Sequence, residues 1–110
     1  MESVYMKIAE KSEIPIGKMK KVASQGKEIL IANVNGSFYA IGNICTHAGG
    51  DLSKGTLEGN IVTCPKHKSK FDVTTGKVVS PPKMGLFHPK IQDEQSYSVK
   101  IENNDILIKI

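Results

Sequence analysis

Residues 45–72, which read CTHAGGDLSKGTLEGNIVTCPKHKSKFD, contain the two segments that carry nearly all of the functional information in this chain. This stretch holds both cysteines of the chain and two of its three histidines. They are arranged as Cys45-x-His47 and Cys64-x-x-His67, with 16 residues between His47 and Cys64. Thiolate and imidazole are common ligands of transition metals in proteins. Each half of the stretch therefore offers one thiolate and one imidazole to a metal site.

Short strands and tight turns surround these two segments. Asn35-Gly36 lies between two apolar runs and predicts a type I′ hairpin turn, because both central positions of that turn need positive φ. Three further turns are predicted at Glu58-Gly59-Asn60, Thr74-Thr75-Gly76 and Asn103-Asn104. Strands with turns about every 8–12 residues are typical of sandwiches and barrels. The predicted strands cover 4–9, 17–24, 27–34, 37–41, the residues near 57, 61–63, 71–73, 77–79, 97–102 and 105–110, with a short turn near 11–14 and an ordered loop over 80–95.

Length and composition predict one domain over 1–110, without room for a second catalytic domain. No apolar run approaches the roughly 20 residues of a membrane helix. The first residues lack the charged head and apolar core of a signal peptide. We therefore expect a cytoplasmic protein without a membrane partner, where a disulfide between the two cysteines is rare and metal binding is the better interpretation.

The charge pattern gives little support to nucleic-acid binding. Fifteen lysines and no arginines stand against eleven acidic residues, for a net charge of +4. The lysines are spread along the chain, and no basic stretch alternates with aromatic residues. We expect no nucleic-acid partner.

Residues 45–52 and 64–72 resemble, over their full length, the two ligand boxes of Rieske [2Fe–2S] proteins. The similarity continues through Thr75-Gly76-Lys77-Val78 to Pro81-Pro82. The resemblance implies an all-β fold, a Rieske-like antiparallel sandwich with a two-loop cluster-binding subdomain over about 43–82. It also implies one Rieske-type [2Fe–2S] cluster per chain. In such a site two thiolates bind one iron and two imidazoles bind the other.

Carried over to this sequence, the family pattern makes Cys45 and Cys64 the ligands of the inner iron. His47 and His67 become the ligands of the outer, solvent-facing iron. Gly49 and Gly50 let backbone N–H groups approach the cluster sulfurs, because glycine has no Cβ. Pro81 and Pro82 match the proline loop that covers the cluster in the family.

Two departures from the respiratory-chain members bear on function. Those proteins carry a disulfide between the boxes, whereas Gly50 and Lys66 occupy its positions here. Their clusters also receive hydroxyl hydrogen bonds from a serine and a tyrosine. Ser69 stands at the serine position, but Phe71 replaces the tyrosine. Fewer donors stabilise the reduced cluster less, so we expect a potential in the lower part of the Rieske range of about −150 to +300 mV. Lys68 stands where a glycine is usual, which the sequence does not explain.

The implied function is a soluble one-electron carrier, not an enzyme. A mononuclear iron site of the oxygenase kind needs two further histidines, and only His88 remains. The resemblance implies a flavin- or NAD(P)H-linked reductase as electron donor and an oxygenase or other oxidoreductase as acceptor. One alternative is a small electron-transfer subunit of a multisubunit reductase such as nitrite reductase. A second is a structural Cys2His2 zinc module.

Two groups of residues allow more than one interpretation. His88, in a proline-flanked loop, is favoured as a packing histidine over a role in proton or electron exit. Lys66, Lys68 and Lys70 flank His67. They are either solvated surface lysines or a basic rim that steers an acidic partner.

Overall fold

The structure is a computed structural model that describes residues 4–46, 49–66, 68–80 and 91–110. Antiparallel strands dominate the described residues, together with two short 3-10 helices at Lys11–Glu13 and Leu52–Lys54. The strands are β1 Tyr5–Glu10, β2 Met19–Ser24, β3 Lys27–Val34, β4 Ser37–Gly42, β5 Thr56–Glu58, β6 Ile61–Thr63, β7 Lys70–Asp72, β8 Val78–Ser80, β9 Ser96–Glu102 and β10 Asp105–Lys109. Within that part of the chain, no helix has the length and apolar character that a membrane crossing requires.

The larger sheet has six strands in the order β1-β10-β9-β4-β3-β2. Its β3–β4 hairpin turns at Asn35 and Gly36, with φ of 54° and 94°. These values confirm the predicted turn, whose central positions both require positive φ. In this order β9 pairs with β4, and β10 pairs with β1 at the edge of the sheet.

The middle of β3 is apolar on both faces because each face packs against a different core. Leu30 and Ala32 lie in a cluster that also contains Leu52, Val62 and Phe71. Ile29 and Ile31 point to the opposite face, into a cluster with residues of β1, β4 and β10. Successive strand residues alternate between faces. The run Ile29–Ala32 therefore joins the two cores through one strand.

The smaller sheet has four strands in the order β5-β6-β7-β8. Val62 of β6 and Phe71 of β7 are buried in the first of the two clusters, together with Leu30 of the larger sheet. The two ligand-bearing segments lie at the ends of these sheets. One follows β4, and the other connects β6 to β7.

The predicted strands agree with the observed ones to within a few residues. β2 begins at Met19 instead of Gly17, because Gly17 adopts a φ of 81° in the preceding turn. The predicted short turn near 11–14 is the first 3-10 helix. Of the predicted 80–95 loop, Ser80 belongs to β8 and 91–95 form no strand, while 81–90 lie outside the described residues.

Candidate metal centre

The first ligand loop is fixed at its base by Asn43, which is fully buried. The Asn43 side chain donates to Asp51 Oδ1 at 2.7 Å and accepts the Ser53 N–H at 2.9 Å. Its backbone N–H donates to Glu28 O on β3 at 3.0 Å. One amide side chain therefore joins the beginning of the loop to its end, and its backbone attaches both to the larger sheet.

The carboxyl group of Asp51 stays ionised in this position. Partial burial opposes its charge, but hydrogen bonds from Ser53, Asn43 and Lys21 outweigh that cost and hold its pKa below the usual range. The Lys21 ammonium lies 3.1 Å from Asp51 Oδ2. The base of the loop is thus a charged hydrogen-bond network and not an apolar contact.

The top of the first loop turns the Cys45 side chain inward. The Cys45 N–H donates to Gly50 O at 2.7 Å, and the Gly49 N–H donates to Cys45 O at 3.0 Å. Gly49 has a φ of 71°, a left-handed conformation that favours glycine. The Gly49 N–H is therefore used within the loop, and the turn itself favours a glycine here. Only 2% of the Cys45 surface is exposed.

The second ligand loop is closed by a hydrogen bond from the Cys64 N–H to Ser69 O at 2.8 Å. Lys68, just before Ser69, has a φ of 61°. A left-handed residue with a Cβ costs roughly 1–2 kcal/mol. The family preference for glycine at this position thus has a backbone reason, and Lys68 occupies it under strain.

The two loops meet at their cysteines. The Ser69 hydroxyl lies 3.3 Å from Cys45 Sγ, across the gap between the loops. A Cβ placed on Gly50 would lie 2.7 Å from Cys64 Sγ. Only a residue without a Cβ lets the first loop approach this thiol so closely. Both cysteines are free and buried, with none of the Cys64 surface exposed.

The environment of Cys64 favours its neutral thiol as long as no metal is bound. Burial raises the Cys64 pKa, and the neighbouring Cys45 raises it further. Hydrogen bonds from the Lys66 N–H and the Ser69 hydroxyl lower this pKa, but they do not cancel the rise. Two buried soft donors that face one another fit a metal or cluster, since a bound cation compensates the thiolate charges and releases their protons. The residues present therefore suit the implied group.

The other predicted site residues are only partly placed. His47, His67, Pro81, Pro82 and His88 lie outside the described residues. In keeping with this, 4–46, 49–66, 68–80 and 91–110 contain no group of three or more potential metal ligands. Cys45, Cys64, Gly50 and Ser69 are brought together. Phe71 is fully buried in the core beneath them, so its position offers the site no hydroxyl group.

Sequence reasoning missed two polar residues that hold the first loop. Asn43 is one, and its place between a strand and the first cysteine was a usable signal. Glu94 is the other: its Oε2 accepts the Thr46 N–H at 3.1 Å. A single glutamate in an irregular segment gives no periodicity or spacing from which to predict this contact.

Comparison with known proteins identifies the family. Residues 4–103 match the sequence profile of the Rieske [2Fe-2S] domain. This chain belongs to the Rieske family. The predictions of an all-β Rieske fold and of a Rieske-type [2Fe–2S] cluster are therefore confirmed.

Curated relatives of this Rieske protein are ferredoxins. The chain is 41% identical over 98 residues to the ferredoxin component of the naphthalene 1,2-dioxygenase/salicylate 5-hydroxylase systems of Ralstonia sp., covering 89% of this chain and 88% of the relative. It is 34% identical over 110 residues to the ferredoxin component of the 2,4-dinitrotoluene dioxygenase system of Burkholderia sp. strain RASC, covering 100% and 99%. The prediction of a Rieske ferredoxin, an electron carrier and not an enzyme, is confirmed by these relatives.

Solved structures agree with the Rieske fold. The ferredoxin of carbazole 1,9a-dioxygenase from Nocardioides aromaticivorans IC177 superposes with a TM-score of 0.82 at 26% identity, covering 96% of each chain. A complex of reduced oxygenase and oxidised ferredoxin of carbazole 1,9a-dioxygenase also gives 0.82, at 25% identity, covering 98% of this chain and 94% of that one.

Proposed function

We propose that this Rieske protein carries single electrons from a flavin- or NAD(P)H-linked reductase to an oxygenase. Cys45 and Cys64 are the ligands of the buried iron, and His47 and His67 are the ligands of the outer iron. The observation that carries the proposal is the pair of buried, free thiols held against one another by Gly50 and Ser69. When bound, the [2Fe–2S] cluster takes up and releases one electron.

The chain keeps water away from the thiolate side of the cluster. Both cysteine side chains lie in the apolar cluster with Leu52, Val62 and Phe71. Burial of this end favours electron exchange at the opposite, imidazole end. The Ser69 hydroxyl next to Cys45 Sγ is one donor that stabilises the reduced state. Because Phe71 supplies no second hydroxyl, we place the potential in the lower part of the Rieske range.

The surface beside the loops suits brief contact with a redox partner. Ile44, which precedes Cys45, is 50% exposed, and Lys66 and Lys68 of the second loop are exposed as well. An exposed apolar side chain at the first loop and two cations on the second favour a partner surface that is both apolar and acidic. Encounters of redox proteins are small and transient. We place this exchange in the cytoplasm.

The test is an EPR spectrum of protein purified anaerobically and reduced with dithionite. A rhombic signal with the low average g of a histidine-ligated cluster is expected. His67→Cys should keep a cluster at a lower potential, and Cys64→Ser should lose the signal. Lys66→Ala, on the same loop, is the control and should keep the spectrum. A colourless sample from the native organism with one zinc per chain would overturn the proposal.

A further inference from the structure

The segment 91–95 ties the first ligand loop to both sheets. Gln92 O accepts a hydrogen bond from Thr46 Oγ1 at 2.6 Å. Asp93 Oδ1 accepts the Val78 N–H of β8 at 2.8 Å. The Glu94 N–H donates to Gly76 O at 2.7 Å, and Gln95 O accepts the Gly42 N–H of β4 at 2.8 Å. Four successive residues thus contact the ligand loop, the smaller sheet and the larger sheet.

The side chain of Glu94 points into the protein beneath Thr46. It is only 7% exposed. Its Oε2 accepts the Thr46 N–H at 3.1 Å, and its Oε1 lies so close to Gly42 that a Cβ there would be 2.6 Å away. On the backbone side, a Cβ on Gly76 would lie 2.3 Å from Glu94 O. Two glycines therefore make the space that Glu94 occupies.

The carboxyl group is costly in this place. In the described part of the chain no lysine forms an ion pair with Glu94. A buried carboxylate that receives one N–H from the described residues is poorly compensated by them. Burial raises the Glu94 pKa to about 7, and the bond from the Thr46 N–H opposes this only in part. An apolar side chain of similar size would fill the space without this cost, so packing alone does not account for a glutamate.

We propose that Glu94 is a positioning residue that holds the Cys45–His47 segment by the Thr46 N–H and whose buried negative charge lowers the reduction potential of the cluster bound by that segment. Thr46 is the residue between two of the proposed ligands, so this inference rests on the proposed function. The cluster gains one negative charge on reduction. A carboxylate held beneath the same loop in a medium of low polarity opposes that gain.

Several other ionisable groups among the described residues lie on the elements that contact Glu94. Tyr97 of β9 has its pKa raised by burial and then by the charge of Glu94. Asp72, at the start of the β7–β8 turn, has a lowered pKa because hydrogen bonds from Thr74 and Asn60 outweigh its burial. It is ionised at neutral pH. Two further ionisable side chains belong to elements that contact Glu94: Tyr39 on β4 and Cys45 in the ligand loop. In the described part of the chain, burial brings the pKa of the Glu94 carboxyl to about 7, so its charge changes near neutral pH.

The test compares the cluster potential of the loaded protein in three variants. Glu94→Gln keeps an acceptor for the Thr46 N–H and removes the charge. Glu94→Leu removes both. Asp93→Asn removes the charge of the neighbouring, exposed carboxyl and is the matched control. Potentials are measured at about pH 5.5 and about pH 8.5, on either side of the Glu94 pKa.

Glu94→Gln should raise the potential at the higher pH, with a much smaller rise at the lower pH, where the wild-type carboxyl is neutral. The titration of the imidazoles changes the potential of wild type and variant equally, so it cancels in the difference between the two potentials. Asp93→Asn should produce no such pH-dependent difference. Glu94→Leu should raise the potential likewise. It should also release iron to a chelator about 3–10 times faster than Glu94→Gln, since one hydrogen bond to the loop is lost.

An unchanged potential in Glu94→Gln at both pH values would overturn the electrostatic part, as would an equal shift at both. Equal rates of iron release in the Gln and Leu variants would overturn the positioning part. Thr46→Ala, which lacks the bond to Gln92 O, serves if a Glu94 variant fails to load. It should release iron faster while keeping the wild-type pH dependence. Failure of the proposed function differs from all of these, because the wild type would then show no cluster signal.

Discussion

The two ligand loops are close enough for a disulfide that this chain does not have. A Cβ placed on Gly50 would lie 3.5 Å from Lys66 Cβ. Disulfides join Cβ atoms about 3.5–4.5 Å apart. Gly50 is not in the left-handed region, so a side chain meets no backbone strain there. We therefore expect Gly50→Cys/Lys66→Cys to form the cross-loop bridge that the respiratory-chain proteins carry at these positions.

The size of the effect follows from the closed loop. It contains about 17 residues, for which the chain-entropy relation gives about 3 kcal/mol of added stability. The new Cβ at position 50 acts against this gain, because it would lie 2.7 Å from Cys64 Sγ. Overpacking of this kind costs about 1–3 kcal/mol. The matched control is therefore Gly50→Ala/Lys66→Ala, which adds the same Cβ and removes the same lysine without a bridge.

The assay is equilibrium unfolding in urea under argon, with the cluster loaded and no added thiol. Mass spectrometry of the intact chain first establishes the loss of two hydrogens. The bridged variant should exceed the alanine control by about 3 kcal/mol in its free energy of unfolding. If the two thiols stay free after air oxidation, the inferred proximity of the loops is wrong. If the bridge forms without a gain over the control, the stability argument fails and the geometry stands.

Three further predictions concern single side chains. Lys68→Gly should stabilise the protein by about 1 kcal/mol in the same urea assay, because it relieves a left-handed residue. Lys66→Gly, at a position without positive φ, should not stabilise it, and equal gains at both positions would refute the backbone explanation. Ser69→Ala should lower the potential by about 20–60 mV in a spectroelectrochemical titration, since one hydrogen bond of about 0.5–1.5 kcal/mol to Cys45 Sγ is lost. A rise in potential would show that the hydroxyl does not stabilise the reduced state. The raised pKa of Glu94, about 7 against an ordinary 4.5, means that the folded state retains a proton that the unfolded chain has lost. Stability should therefore fall by about 2–3 kcal/mol between pH 5 and pH 8 and level off above the folded pKa. Glu94→Gln should remove this dependence of stability on pH. If the stability of the wild type, relative to that of the variant, rises between pH 5 and pH 8, the assignment of the effect to Glu94 is wrong.

The fold was predictable because its signals are local. Asn35-Gly36 specifies a turn by its own backbone preference, and the apolar runs on either side form β3 and β4. The ligand boxes were predictable for a related reason. The resemblance of the two boxes to the Rieske family implied the ligand set, the structure brings Cys45 and Cys64 together, and the roles of His47 and His67 stay predictions.

What remained hidden depends on contacts between distant residues. Thr46 and Glu94 are far apart in the sequence, and their contact arises only when the segment 91–95 crosses between the sheets. Lys68 was unexplained for a different reason: its φ is fixed by closure of the loop between Cys64 and Ser69, which a sequence does not display. The close packing that favours glycine at position 50 likewise follows from the approach of Cys64 Sγ.

The strand order has a consequence for how the protein is made on the ribosome. β1 pairs with β10, and β9 inserts between β10 and β4, so the larger sheet is incomplete until residue 109 has been synthesised. Cys64 emerges about 45 residues before that point, which at about 5–20 residues per second is a delay of roughly 2–9 seconds. Until residues 92 and 94 have been synthesised, about 30 residues after Cys64, Thr46 lacks its partners on 91–95 and the first loop has no support from that side. The burial that shields Cys45 and Cys64 in the folded protein is therefore complete only after the last strand of the larger sheet has been made.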